Sequence, residues 1–203
     1  MRVALIDYRA GNLTSVKKAF AAVGADLFVP AAPADLGGAA AVVVPGVGHF
    51  GATGALATEW IETIRAGIAA GVPLLGICLG MQWLFEGSAE APERPGLGLL
   101  DGHCYRLPAE ANGITVKIPH VGWNALDLRR ADSIVDGVPA GAQVYFTHSF
   151  AAPITHDTVA VTEHGQPFAS IVQRGHVAGV QFHPEKSGEI GLRILTNFLR
   201  LAG

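Results

Sequence analysis

The stretch from Pro73 to Gln82 constrains the fold more than any other part of this 203-residue chain. A short apolar run, Leu74 to Ile77, predicts a buried strand, and the residues from Met81 onward predict a helix. Between them, residues 76–80 read Gly-Ile-Cys-Leu-Gly, a Gly-x-nucleophile-x-Gly pattern with cysteine in the place of serine. Small residues on both sides allow a strand to turn sharply into a helix, with a strained nucleophile exposed at the tip.

This elbow gives Cys78 two features of a catalytic thiol. A helix N-terminus directly behind it favours negative charge and so stabilises the thiolate. The backbone N–H of Leu79 points to where an oxyanion would form. The alternative is a structural cysteine at a strand end, because free cysteine is among the most buried residue types. A nucleophile also requires a base, so the elbow alone leaves both interpretations open.

Composition restricts the class of protein. Half of the residues are hydrophobic and 15% are charged, which predicts one compact domain over residues 1–203. The net charge is -3 and no basic block occurs, which argues against nucleic acid or a membrane surface as a partner. We expect a cytoplasmic protein, because there are only two cysteines, no signal-peptide core and no membrane-length apolar run.

The first half of the chain alternates strands and helices. Apolar runs predict strands at 3–6, 27–29, 39–44 and 74–77, with helices beginning near Leu13 and Leu56. This alternation favours a parallel sheet, because such crossovers carry helices over its faces. Sites in open α/β sheets lie at the carboxyl ends of strands. Three glycine-bearing loops fall there, at 11–12, at 46–48 and at the elbow.

The second half is richer in short β-prone segments. Candidate strands are 102–107, 115–118, 143–146, 158–162, 168–173 and 177–182, and a last helix follows with an apolar stripe from Ile190 to Leu199. The predicted class is therefore α/β: a three-layer open sheet with a parallel core flanked by helices and a mixed or antiparallel extension.

His183 is the candidate base. Pro184 favours an extended conformation for His183, so His183 and Glu185 are expected to project from the same face. A carboxylate beside an imidazole orients it and stabilises its charged form, as a catalytic base requires. The alternative is a turn histidine with a solvated glutamate. Only folding can bring this pair to Cys78, which is 105 residues away.

A zinc site is the other use for cysteine and histidine. No Cys-x-x-Cys or paired ligand spacing occurs, so we expect no metal and no cofactor.

The combination of the elbow with His-Pro-Glu at 183–185 resembles the class I (triad) glutamine amidotransferases. Residues 45–51 (Pro-Gly-Val-Gly-His-Phe-Gly), 119–124 (Pro-His-Val-Gly-Trp-Asn) and 145–150 (Tyr-Phe-Thr-His-Ser-Phe) are similar to one branch, the glutaminase subunits of imidazole glycerol phosphate synthase. The resemblance implies that Cys78 attacks the side-chain amide of L-glutamine, that His183 moves the proton and that Glu185 holds His183. Water then hydrolyses the γ-glutamyl thioester.

The same resemblance implies an oxyanion hole and a substrate site. Leu79 and a backbone N–H of Val47 or Gly48 would form the hole, after a peptide rotation that the neighbouring glycines permit. The implied substrate-binding residues are Gly46, Gln82, Glu90, Thr147, His148 and Ser149.

The resemblance further implies a heterodimer with a separate (β/α)₈-barrel cyclase subunit, because 203 residues leave no room for that barrel. The implied interface residues are Asn12, His120, Trp123, Tyr145 and Lys186, with Trp123 in a glycine-flanked polar loop. Rival interpretations are a subunit of another synthase (anthranilate, aminodeoxychorismate or pyridoxal phosphate), a non-catalytic subunit, or an unrelated cysteine hydrolase. Arg9 and Trp83 depart from the residues usual in relatives.

Overall fold

The computed structural model describes all 203 residues, which build one large sheet and three small ones. The helices are α1 (Leu13–Ala22), α2 (Thr58–Ala69), α3 (Leu79–Trp83) and α4 (Gly188–Arg200). The strands are β1 (Arg2–Leu5), β2 (Asp26–Phe28), β3 (Ala41–Val44), β4 (Leu74–Ile77), β5 (Gly87–Ser88), β6 (His103–Arg106), β7 (Glu110–Ala111), β8 (Ile114–Thr115), β9 (His120–Ala125), β10 (Asp127–Leu128), β11 (Gln143–His148), β12 (Phe150–Ala151), β13 (Thr158–His164), β14 (Gln166–Arg174) and β15 (Val177–Val180).

The large sheet has eight strands in the order β10-β13-β14-β15-β4-β3-β1-β2. The five strands from β15 to β2 pair in parallel, and β14, β13 and β10 extend the sheet in antiparallel fashion. The α/β class with a parallel core and an antiparallel extension is therefore confirmed. The extension arises because β13, β14 and β15 are joined by tight connections, which allow only antiparallel pairing.

Two apolar layers cover the sheet. Alternate residues of β1 face opposite sides: Val3 and Leu5 belong to one core cluster, and Ala4 belongs to the other. Buried residues of α1 and α4 complete the first cluster, and those of α2 and α3 complete the second. The helices thus form the outer layers of a three-layer arrangement.

The structure corrects several predicted segments. Of the strand expected at 115–118, only Thr115 is extended, as the last residue of β8. The supposed polar loop around Trp123 is the six-residue strand β9, paired antiparallel with β11. Glycine and polar residues interrupt the apolar pattern of β9. Its extended conformation therefore depends on pairing with β11 and not on a local sequence pattern. Helix α2 begins at Thr58, after a 3₁₀ turn over 50–55. Helix α3 has only five residues, so the helix dipole that would stabilise a Cys78 thiolate is small.

No helix has the length and apolar character needed to cross a bilayer.

The order of the parallel strands positions the site. β1, β3, β4 and β15 are neighbours, so the loops at their carboxyl ends meet at one edge of the sheet. The glycine loops after β1 and β3 are in contact there: a Cβ added to Gly11 would lie 3.6 Å from the Cα of Gly46. The expectation that three glycine-bearing loops converge is confirmed.

Candidate active site

The elbow after β4 has the strained geometry that its sequence predicts. Cys78 has φ 52° and ψ −106°, in a region that non-glycine residues seldom occupy. A Cβ on Gly76 would lie 2.5 Å from the carbonyl oxygen of Gly80, and a Cβ on Gly80 would lie 1.8 Å from that of Val44. Both glycines are needed because backbone occupies the space of a side chain.

The pairing of β15 with β4 brings the candidate base to the elbow. Val180 lies opposite Ile77, and the N–H of Cys78 donates to the carbonyl of Val180 at 2.8 Å. His183 follows three residues later, and its Nδ1 lies 2.8 Å from Oε1 of Glu185. Both side chains are only 3% exposed. Residues 184–186 form a 3₁₀ turn, so a turn, and not the expected strand alternation, aims the carboxylate at the ring.

Two neighbours favour the charged form of His183. Burial alone lowers the pKa of His183, but the nearby Cys78 and Glu185 side chains outweigh burial and raise this pKa from 6.5 to about 9. The Nε2 atom is buried and has no hydrogen-bond partner of acceptable geometry. Because Nδ1 is engaged by Glu185, Nε2 is the ring nitrogen left for proton exchange with the sulfur.

A backbone carbonyl occupies the candidate oxyanion hole. The N–H of Leu79 donates to the carbonyl of Gly46 at 3.3 Å, so it is not free for a ligand. Val47 is 39% exposed, and Gly48 has φ 109° with open space around it. Rotation of the Gly46–Val47 peptide would remove the carbonyl and turn an N–H toward the same spot.

A polar cavity of about 280 Å³ opens beside the cysteine. This volume is near the lower end for small-molecule sites, about 300 Å³, and suits a small polar ligand. It is lined by Gly48, Cys78, Leu79, Gln82, Glu90, Pro119, Thr147, His148, Ser149 and Phe150. All the expected substrate-binding residues line it except Gly46. Pro119 and Phe150 were not predicted, although both belong to motifs that the sequence analysis singled out.

A chain of hydrogen bonds links this cavity to the nucleophile. Nε2 of Gln82 donates to the carbonyl of Phe150 at 2.8 Å and to Oε1 of Gln181 at 3.1 Å. Nε2 of Gln181 in turn donates to the sulfur of Cys78 at 3.6 Å. Gln82 therefore has its oxygen left to accept from a ligand. Sequence reasoning missed Gln181, whose place two residues before His183 was the available signal.

Glu90 connects the cavity to the segment after the glycine loop. Its Oε2 accepts from the backbone N–H of Phe50 at 2.7 Å. The negative charge of the carboxylate suits the amino group of an amino-acid ligand.

Two buried histidines support the strand that forms one wall of the cavity. Burial lowers the pKa of His148 to about 3, and burial together with His164 lowers that of His120 to about 4, so both are neutral near pH 7. One tautomer assignment satisfies the contacts: His120 Nδ1 donates to His148 Nε2 at 3.1 Å, and His148 Nδ1 donates to the carbonyl of Phe150 at 2.9 Å. His120 is 4% exposed. Its ring is therefore inside the isolated chain, and its place in a partner interface stays a prediction.

An exposed aromatic surface lies directly behind the candidate base. Trp123 is 57% exposed, and its ring packs edge-to-face on that of Tyr145, opposite it on β11. Nζ of Lys186 lies 5.7 Å from the centre of the Tyr145 ring. The carbonyl of Tyr145 accepts from the N–H of His183 at 2.9 Å. Asn12, also exposed, caps α1 through Ser15.

The structure accommodates the two departures from the residues usual in relatives. Arg9 has φ 65°, a conformation that favours glycine, and its N–H donates to Asp7. Trp83 is buried in the second core cluster.

One group of potential metal ligands lies outside the cavity, formed by Asp101, His156 and Asp157. Arg174 donates to both carboxylates, at 3.2 and 2.6 Å, and so supplies the positive charge there.

Known proteins are similar to this chain in sequence and in fold. The family described as glutamine amidotransferase class-I matches residues 4–202. The imidazole glycerol phosphate synthase subunit HisH of Lactiplantibacillus plantarum is 46% identical over 96% of this chain and 93% of its own length, and that of Thermococcus kodakarensis is 43% identical over 98% and 100%. A solved glutamine amidotransferase structure with 22% identity superposes with a TM-score of 0.75 over 99% of this chain and 98% of its own, which supports the fold. The chain belongs to the class-I glutamine amidotransferase family, in the branch of the imidazole glycerol phosphate synthase subunits HisH.

Proposed function

We propose that this chain is the glutaminase subunit of an imidazole glycerol phosphate synthase. It hydrolyses L-glutamine to glutamate and ammonia and passes the ammonia to a separate cyclase subunit. One observation carries the proposal: a strained cysteine that lines a small polar cavity lies near enough to a buried His–Glu pair to raise the pKa of the histidine. The branch of the family to which the chain belongs supports the identity of the synthase.

In the proposed reaction the sulfur of Cys78 attacks the amide carbon of glutamine. The C–N bond breaks as His183 gives its Nε2 proton to the leaving nitrogen, so ammonia departs and a thioester remains. Water then attacks the thioester, with His183 taking its proton, and releases glutamate and the thiolate. Glu185 keeps Nδ1 protonated throughout, which leaves Nε2 for these transfers.

Recognition of glutamine follows from the charges around the cavity. We assign the α-amino group to Glu90 and to the free oxygen of Gln82, because both are acceptors. Thr147, His148 and Ser149 also line the cavity, and we assign their backbone groups to complete the site.

The carbonyl of Gly46 occupies the proposed oxyanion hole, which supports an inactive resting state for the isolated chain. As long as the carbonyl of Gly46 accepts from Leu79, an oxyanion at that place would meet a carbonyl instead of a donor. We therefore propose that the cyclase favours the rotated peptide, and we expect low glutaminase activity without it. The surface formed by Trp123, Tyr145 and Lys186 is the proposed docking site, since aromatic residues dominate such contacts.

The test is Cys78→Ala in complex with the cognate cyclase loaded with its ribonucleotide substrate. Synthesis from glutamine should stop, whereas synthesis from added ammonium should continue at the wild-type rate. Cys104→Ala, at the other cysteine, should retain synthesis from glutamine. Glutamate release by Cys78→Ala would refute the assignment of Cys78 as the nucleophile. A wild-type chain that supplies ammonia only to a different synthase would refute the assigned partner.

A further inference from the structure

The hydroxyl of Tyr8 is a buried polar group that the mechanism above does not use. Tyr8 follows β1 and is 4% exposed. Its oxygen is inaccessible to solvent and makes no hydrogen bond. A buried hydroxyl without a partner is destabilising relative to a bonded one. Its presence therefore requires an explanation beyond the packing of its ring.

This hydroxyl lies against the hinge of the candidate oxyanion loop. A Cβ built on Gly46 would be 2.1 Å from the Tyr8 oxygen and 2.8 Å from the Cβ of Leu79. The hydroxyl thus contacts the Cα that begins the peptide blocking the oxyanion hole. Burial, and then the charge of Cys78, raise the pKa of Tyr8, so its hydroxyl keeps its proton near neutral pH and can donate.

We propose that Tyr8 is a positioning residue for the oxyanion hole, whose hydroxyl donates to the carbonyl of Gly46 after the Gly46–Val47 peptide has rotated. The inference rests on the proposed glutaminase function and adds a residue to its oxyanion machinery.

The proposal rests on a comparison of the buried polar groups that lack a hydrogen bond before and after the Gly46–Val47 peptide rotates. In the resting state the carbonyl of Gly46 is bonded to Leu79, at a long 3.3 Å, and the hydroxyl of Tyr8 has no partner. Rotation takes the carbonyl from Leu79 and would leave a second buried group unpaired, because Gly46 is itself buried. The hydroxyl is a side-chain donor already in contact with that residue. A bond between them satisfies both groups at once, and so stabilises the active state alone.

The experiment compares Tyr8→Phe with Tyr105→Phe in the complex with the cognate cyclase and its ribonucleotide substrate. Tyr8→Phe keeps the ring and removes an oxygen that has no partner in the resting state, so thermal stability should be unchanged or higher. Its kcat for glutamate release should fall about tenfold, the factor for about 1.4 kcal/mol of transition-state stabilisation, with an unchanged KM. Tyr105→Phe removes a hydroxyl that donates to the carbonyl of Pro167 at 3.0 Å, and should lower stability without lowering kcat.

Alkylation of Cys78 by iodoacetamide measures the reactivity of the thiol alone. The reaction forms no oxyanion, so a defect confined to the oxyanion hole should not affect its rate. Its rate in Tyr8→Phe should equal that of the wild type. A kcat for Tyr8→Phe within about twofold of the wild type overturns the inference while the proposed function stands. A loss of kcat matched by slower alkylation, or by an equal loss in Tyr105→Phe, also overturns it. A wild-type complex that releases no glutamate overturns the proposed function and this inference together.

Discussion

Substitution of Glu185 by glutamine isolates the contribution of the buried carboxylate to the proposed chemistry. Its Oε1 accepts from Nδ1 of His183 at 2.8 Å, and Oε2 has no partner, so the carboxylate acts through that single bond. Both side chains are 3% exposed, which leaves little solvent screening. A hydrogen bond to a charged group contributes about 1.5–3 kcal/mol, which corresponds to roughly 10- to 150-fold in rate. We expect kcat for glutamate release to fall by that factor.

The assay is steady-state glutamate release by the complex, alongside thermal unfolding and an NMR titration of the His183 ring. The pKa of His183 should drop below about 9, because one of the groups that raise it has been removed. Thermal unfolding should move to lower temperature, because the charged ring of His183 stays buried without its counter-charge. Glu189→Gln, an exposed carboxylate four residues later, is the control and should have wild-type kinetics. Activity of Glu185→Gln within threefold of the wild type would refute the reasoning.

Three other predictions concern the exposed Trp123 side chain, the charge of His183 and the space around Gly80. Trp123→Ala should weaken cyclase binding by about 30-fold, for a loss of about 2 kcal/mol, without lowering thermal stability, whereas Ile114→Ala, also exposed, should leave the measured Kd unchanged. Because the folded-state pKa of His183 exceeds its unfolded value of 6.5, its stabilisation should be full below about pH 6.5 and disappear as pH rises through about 9; urea unfolding with no decline over that range would contradict this. Gly80→Ala places a Cβ 1.8 Å from a backbone carbonyl and should cost more than about 3 kcal/mol in urea unfolding, whereas Gly37→Ala meets no atom within 4 Å and should be neutral.

Local patterns predicted the parallel half of the fold well. The strand over 74–77 has the predicted limits, because four buried residues between a proline and a glycine-flanked cysteine leave little choice. Helix α4 was equally clear, since its apolar stripe has the helical period. The β9 strand was not found, because exposed Val121 and Trp123 alternate there with a glycine and polar residues. Its conformation depends on hydrogen bonds to β11, about twenty residues away, which no local pattern contains.

The site residues divide in the same way. Sequence motifs pointed to Cys78, His183 and Glu185 because each stands in a short, distinctive context, and the structure places the side chains of Cys78 and Glu185 near the His183 ring. Gln181, Tyr8 and the buried position of His120 were not predicted, since each depends on contacts between distant segments. Even the His183–Glu185 bond was anticipated for the wrong reason, because a 3₁₀ turn and not an extended strand aligns the two side chains.

The sequence by itself determined the chemistry that is available: a thiol on a glycine-flanked turn, an imidazole with a nearby carboxylate, and a glycine-containing loop. Only the tertiary structure decided which of these groups meet, because parallel pairing of β4 with β15 and β3 joins segments up to 103 residues apart. It also decided that the N–H of Leu79 is bonded to the carbonyl of Gly46 at the place proposed for the oxyanion. Chemical identity is a local property of the chain, whereas the order of strands and the pairing of buried polar groups depend on the packing of the whole.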